Sequence, residues 1–312
     1  MAKVLISGGL GNLGTWLTRQ LIDEGYNVFV ASRRQRVIPN LGGYHHLPCD
    51  LSDLDQCRAQ IRNLKFNFVI HLASADDQYD DLYPQRALLT NALGTRNLLE
   101  ATSGTDLKNF VYFSTFHIYG RSEGSITETA TPCPRHDYAT THLFAEEYVR
   151  QFHRTHNTPY TILRLTNSYG CPHNLDTDKW HLILNDLSRM AVQQNELRIN
   201  GNALSERDFI WMGDVTKAVH LILESNDSFN DTYNLSGENT LRLIDVADRV
   251  RKAYEATYGE QIPIITNKAN TKAANDSLKV SSDKLRRKID LTLSDKTIEE
   301  ATKIMVALTE PL

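Results

Sequence analysis

The sequence predicts an α/β fold, a doubly wound parallel sheet followed by a smaller C-terminal cap. Three observations carry that reading. Short apolar runs alternate with stretches of helical spacing through the first half of the chain, the pattern of a parallel sheet covered on both faces. The first run, Val4-Leu5-Ile6, feeds directly into a glycine-rich turn that opens a helix. After residue 170 the alternation loosens.

The first unit reads as a strand at 3–7, a helix at 12–24 and a strand at 26–31. The helix places Leu13, Trp16, Leu17, Leu21 and Ile22 on one face, and Gly25 ends it. Between strand and helix lies Gly8-Gly9-Leu10-Gly11-Asn12-Leu13-Gly14. Such a loop brings bare backbone N–H groups and a helix N-terminus up to a pyrophosphate, so a Rossmann-type dinucleotide site is expected here. The bland alternative is a glycine-rich turn with no ligand.

Further strands are expected at 66–72, 109–114 and 160–165, and helices at 52–62, 84–103 and 138–156. Pro172 to Asp178 reads as a loop, Lys179 to Gln194 as a helix, 208–211 as a short strand and Gly213 to Glu224 as a helix. Helices at 241–257 and 294–309 follow. Residues 1–170 therefore make the dinucleotide-binding domain, with 203–236 returning to it. Residues 171–312 are mostly a substrate-binding cap. Ligands belong in the cleft between them, outside the carboxyl ends of the strands.

Composition narrows the function. The 312 residues are 41% hydrophobic, enough for a sizeable core. A net charge of −4, with no long basic run, carries no nucleic-acid signal. Cys49, Cys57, Cys133 and Cys171 form no C-x-x-C pair and no metal-ligand spacing, and read as reduced thiols. His153 and His156 have no third ligand in view, so no metal site is expected. No segment has the length of a membrane span, and a cytoplasmic protein is expected.

Several further motifs follow in order: Cys49-Asp50-Leu51-Ser52-Asp53, His71-Leu72-Ala73-Ser74, Asn91-Ala92-Leu93-Gly94-Thr95, Ser114-Thr115 with Ile118-Tyr119-Gly120, Leu163 to Gly170, and Arg207-Asp208-Phe209-Ile210. Together with the glycine loop, their order and spacing resemble the extended short-chain dehydrogenase/reductase family. Nucleotide-sugar epimerases, 4-reductases and dehydratases are its best-known members. The resemblance implies that Gly8, Gly11, Asn12, Leu13, Gly14, Asp50, Leu51, Leu72, Ala73, Ser74 and Asn91 contact a nicotinamide cofactor. It implies a homodimer through helices 84–103 and 138–156, where Leu88, Leu89, Leu98, Leu143 and Phe144 are available.

The resemblance also implies hydride transfer at a sugar carbon, with Tyr138 as general acid/base and Thr115 hydrogen-bonded to the reacting oxygen. Thr115 could equally be a β-branched residue finishing a strand. In the family a lysine one helical turn after the tyrosine favours its phenolate and holds the nicotinamide ribose. Here that residue is His142, shorter and mostly neutral at pH 7. Three readings stay open: a working substitute, a slow enzyme or one with a moved pH optimum, or a cofactor-binding regulatory protein without turnover. Members that eliminate water carry an Asp-Glu pair where this chain has Phe116-His117, which disfavours a 4,6-dehydratase.

The second strand ends Ala31-Ser32-Arg33-Arg34, with no acid to hold an adenosine ribose 2′-hydroxyl. An arginine there can pair with a 2′-phosphate, so NADP is expected over NAD, although Arg33 and Arg34 could be solvated surface charges. On the substrate side the resemblance implies that Arg207 pairs with a nucleotide-sugar diphosphate, with Asn167 adding a hydrogen bond. Lys279, in Asn275-Asp276-Ser277-Leu278-Lys279, stands where relatives often carry another arginine. The expected reaction is reduction of a 4-keto-sugar by NADPH. A sugar epimerase with tightly held NAD is the alternative.

Overall fold

The computed structural model of the chain describes residues 1–76, 83–104, 106–225, 229–266 and 277–310. Asn275 and Asp276 lie outside the described residues. Seven strands form the central sheet: β1 (Lys3–Ser7), β2 (Asn27–Ser32), β3 (Tyr44–Pro48), β4 (Phe68–His71), β5 (Asn109–Thr115), β6 (Tyr160–Leu165) and β7 (Asp231–Leu235). All pair in parallel, in the order β3-β2-β1-β4-β5-β6-β7. The strand order reverses between β1 and β4, which opens a crevice beyond their carboxyl ends.

The main helices are α1 (Asn12–Asp23), α2 (Leu54–Ile61), α3 (Tyr83–Ala87), α4 (Gly94–Thr102), α5 (Asp137–His156), α6 (Ile183–Gln194), α7 (Met212–Glu224), α8 (Leu243–Tyr258) and α9 (Thr297–Thr309), of which α1 and α7 cover one face of the sheet and α2, α4 and α5 the other. Alternation along β1 shows why the apolar run is continuous. Val4 and Ile6 pack with Leu17, Leu21, Val215 and Val219 of α1 and α7. Leu5 faces the other way, among Leu98, Leu99 and Val149 of α4 and α5. Full burial of each such side chain contributes ~1.5–3 kcal/mol. A separate core, including Leu184, Leu187, Val246, Val250 and Ile304, holds α6, α8 and α9 together as the cap. A small sheet of Asn167–Tyr169, Glu206–Trp211 and Thr240–Arg242 joins cap to domain.

The structure departs from the sequence reading at the sheet edges. β3 and β7 were not expected as strands, and they are the two outermost. β3 is Tyr-His-His-Leu-Pro and only half-buried; β7 buries Thr232 and Asn234 among its apolar residues. Edge strands take their conformation from a ladder to one neighbour, and composition signals them weakly. The helix expected at 84–103 contains a π segment, Leu88–Leu93, between α3 and α4. Leu98 is fully buried under the sheet and is not available to a partner, whereas Leu88, Leu89 and Phe144 are exposed. No helix among the described residues is long and apolar enough to cross a membrane.

Candidate active site

The crevice between sheet and cap holds a cleft of about 1040 Å³. The glycine loop forms one wall. Gly8 has φ +74°, and a Cβ there would lie 2.8 Å from Ala73 N; a Cβ on Gly14 would lie 2.1 Å from Gly8 O. Neither position accepts a side chain without moving backbone. Gly11 caps α1 without any side-chain bond to the first-turn N–H groups, and that turn carries no acid. Unmet donors and the positive end of the helix dipole both favour an anion, so the residues present fit a dinucleotide pyrophosphate.

Asn12, Leu13, Leu72, Ala73 and Ser74 line the same wall, and Ser32, Arg33, Arg34, Asp50 and Leu51 line its far end. The Ser32 hydroxyl donates to the Arg34 carbonyl (2.9 Å) and meets His46 Nε2 (2.9 Å), which holds the turn after β2. Asp50 accepts from Ser52 N (2.9 Å) and Oγ (2.7 Å). Arg36 also lines the cleft, a contribution the sequence reading missed because it lies in an irregular loop. Asn91 does not line the cleft. From the π segment its Oδ1 accepts from Ala75 N (2.7 Å) and its Nδ2 donates to Thr141 Oγ1 (3.0 Å), tying the segment after β4 to α5. A π segment at such a clamp is a common placement for this irregularity.

Thr115, Tyr138 and His142 line the opposite wall with His117 and His136. Thr115 ends β5, where its Oγ1 accepts from His117 N (3.2 Å) and starts the turn Phe116–Tyr119. His136 caps α5, its Nδ1 accepting from Ala139 N (3.3 Å), and Tyr138 follows in the first turn. His142 comes one turn later, ring centroids 4.5 Å from Tyr138. Phe116 packs away with Ile118, Tyr119 and Ile126, so His117 alone of that pair faces the cleft. The protein around His117, with His136 and Arg207 nearby, pushes its pKa down to about 4.

The surroundings of His142 decide its charge. The side chain is 3% exposed. Burial pushes its pKa down to about 4, against an opposing pull from the Glu146 carboxylate, so it is neutral at pH 7. Its Nδ1 meets the Tyr112 hydroxyl at 2.6 Å, and its buried Nε2 has no partner among the described residues.

On the cap side, Arg207 lines the cleft and pairs with no carboxylate among the described residues. Asn167 also lines it, but its Nδ2 donates to Asp208 O (2.9 Å), fixing the small sheet. Lys179 and Asp76 were not anticipated: they form an ion pair (2.5 Å) that joins the segment after β4 to the cap. That contact spans 103 residues, and nothing local signals it. Lys279 is not brought to the cleft. It is exposed on a short strand pairing with Ser125, which removes it from the substrate side.

Comparison with known proteins agrees with this geometry. The sequence profile of the NAD dependent epimerase/dehydratase family matches residues 4–236. The dTDP-glucose 4,6-dehydratase of Neisseria meningitidis serogroup B is 26% identical over 276 residues, covering 80% of this chain and 75% of that protein. UDP-glucose 4-epimerase of Thermus thermophilus, solved with NAD, superposes with a TM-score of 0.81 at 21% identity, over 97% of this chain and 98% of its own. RMD from Pseudomonas aeruginosa, solved with NADPH, superposes with a TM-score of 0.78 at 20% identity, covering 98% of each chain. The two solved structures share the fold. The profile match runs from β1 through β7, the whole sheet that carries the glycine loop and Tyr138, and the chain belongs to this family of extended short-chain dehydrogenases/reductases.

Proposed function

We propose that the protein is an NADPH-dependent reductase of a nucleotide-linked 4-keto-sugar. The observation that carries this reading is the neutral, buried His142. One helical turn from Tyr138 the chain thus supplies no cation to favour a phenolate. A protonated phenol is the form that reduction of a ketone needs, since the carbonyl oxygen must gain a proton as it becomes a hydroxyl. An epimerase begins by oxidising its substrate and needs the phenolate first.

When bound, the nicotinamide supplies the hydride for the keto carbon. The chain's own residues do the rest. The first-turn N–H groups after Gly11 hold the pyrophosphate, and Arg33 and Arg34 pair with a 2′-phosphate. Tyr138 gives its proton to the substrate oxygen, and Thr115 orients that oxygen. Arg207 pairs with the substrate diphosphate. The exposed Leu88, Leu89 and Phe144 support a homodimer through α5 and its π-segment neighbour.

The test follows NADPH fluorescence on binding, then a chase with nucleotide 4-keto-6-deoxysugars. Consumption of NADPH is expected, and Arg33→Ala should weaken NADPH about tenfold while leaving NADH unchanged. Tightly retained NAD with no net consumption would establish the epimerase reading. Binding without turnover across sugars and pH would establish the regulatory one. An unchanged NADPH preference in Arg33→Ala overturns the NADP assignment.

A further inference from the structure

Lysine needs no help to present a proton, since all three of its N–H bonds donate. A neutral imidazole has one proton for two nitrogens, and what its other nitrogen bonds to decides where that proton sits. Replacing the family's lysine by His142 therefore creates a requirement for a group that sets the tautomer.

Tyr112 meets that requirement. It lies on β5, 30 residues before His142, and its hydroxyl contacts His142 Nδ1 at 2.6 Å with both side chains buried. The surroundings constrain the direction of this bond. Thr95 Oγ1 lies 2.5 Å from the Asn91 carbonyl and so gives its proton there. It then accepts from His71 Nε2 (2.8 Å), which leaves His71 Nδ1 to accept from the Ser7 hydroxyl (2.5 Å). Thr95 therefore supplies no proton to Tyr112, although its Oγ1 is a second side-chain partner that could accept one. Of the two acceptors open to the Tyr112 hydroxyl, the imidazole nitrogen at 2.6 Å is a stronger base than a threonine oxygen that already accepts from His71, so Tyr112 donates to His142. Nε2 then carries the imidazole proton.

We propose that Tyr112 is a positioning residue: its hydroxyl holds His142 in the Nε2–H tautomer, which presents a hydrogen-bond donor to an acceptor oxygen of the ligand in the cleft. Two observations outside the pair support it. His142 lines the cleft, and Nε2 is a buried polar atom with no partner among the described residues, which leaves an acceptor to be supplied by a ligand. The role in ligand binding rests on the cofactor reading above; the tautomer itself does not.

The test has two arms. In the first, 15N spectra of the free, histidine-labelled protein locate the His142 proton, the signal being the one lost in His142→Lys. Nε2 in the protonated-nitrogen region and Nδ1 in the unprotonated one are expected, giving way to a mixture in Tyr112→Phe. The second arm measures NADPH binding. Tyr112→Phe should weaken it roughly fivefold in the native background. In a His142→Lys background, where no tautomer has to be set, it should change it little. A native His142 carrying its proton on Nδ1, or a tautomer unmoved by Tyr112→Phe, overturns the proposal. So does an equal loss of binding in both backgrounds, which marks a purely structural role. If Tyr112→Phe does not fold, the native spectrum still decides. If the native protein binds no NADPH, the cofactor reading fails while the first arm still tests the tautomer.

Discussion

One turn apart on the buried face of α5, His142 and Glu146 meet the core in opposite ways. Glu146 is fully buried yet charged. Burial works to raise its pKa, but the Arg164 and Arg150 guanidiniums and the Ser114 hydroxyl hold it below the usual carboxylate range. Arg164 binds it through Nε (3.0 Å) and Nη2 (2.8 Å), and Arg150 through Nη2 (2.7 Å). His142 is as deeply buried, but its bonded partner is a neutral hydroxyl, and it gives up its charge. The same depth thus yields an ion at one position and a neutral ring at the next. What differs is whether a fixed counter-charge is hydrogen-bonded to the group. The first arrangement braces the helix beneath the site. The second leaves the residue one turn after Tyr138 without a charge.

The largest effect is expected from breaking the charged member. Glu146→Gln strands the Arg164 guanidinium in the core, and urea unfolding should show a loss of about 3–5 kcal/mol. A loss below about 1 kcal/mol would mean that water or relaxation rescues Arg164 and that the contrast with His142 is overstated. Acid titration of stability comes next. His71 and His142, held down to about 3 and about 4, are neutral in the fold and take up protons on unfolding below ~6.5. The unfolded state binds more protons, so this stabilisation is complete above ~6.5 and is lost as pH falls through the folded values. His142→Gln should shrink the stability lost between pH 7 and pH 4 by roughly 2–3 kcal/mol. An unchanged pH dependence would show that His142 is protonated in the fold. The smallest effect sharpens the comparison from the catalytic side. His142→Lys restores a cation, so the alkaline limb of the reductive pH–rate profile should move down by roughly one unit, with activity at pH 7 retained. Complete loss of activity with the fold intact would contradict a simple exchange of one donor for another.

Legibility followed how local the determinants are. The cofactor wall was readable because Ser7 to Gly14 are contiguous, and strand, turn and helix each leave their own mark over a few residues. Arg33 and Arg34 were readable for the same reason, as the end of one strand. Arg36, Asp76 and Lys179 were not, because their places in the cleft depend on where loops and cap come to rest. Lys279 shows the converse error. The family resemblance suggested a substrate contact for it, but pairing with Ser125 turns it to solvent. β3 and β7 escaped notice because an edge strand is held by one ladder, not by an apolar run.

The sequence alone determined the parallel sheet, the glycine loop and the presence of a histidine one turn after Tyr138, since hydrophobic period and residue identity are properties of short stretches. Only the tertiary structure decided what that histidine is. Its charge depends on how much water the fold removes, and its bonded partner is a hydroxyl 30 residues away on a neighbouring strand. Neither depth nor distant partner is written in the helix that carries it.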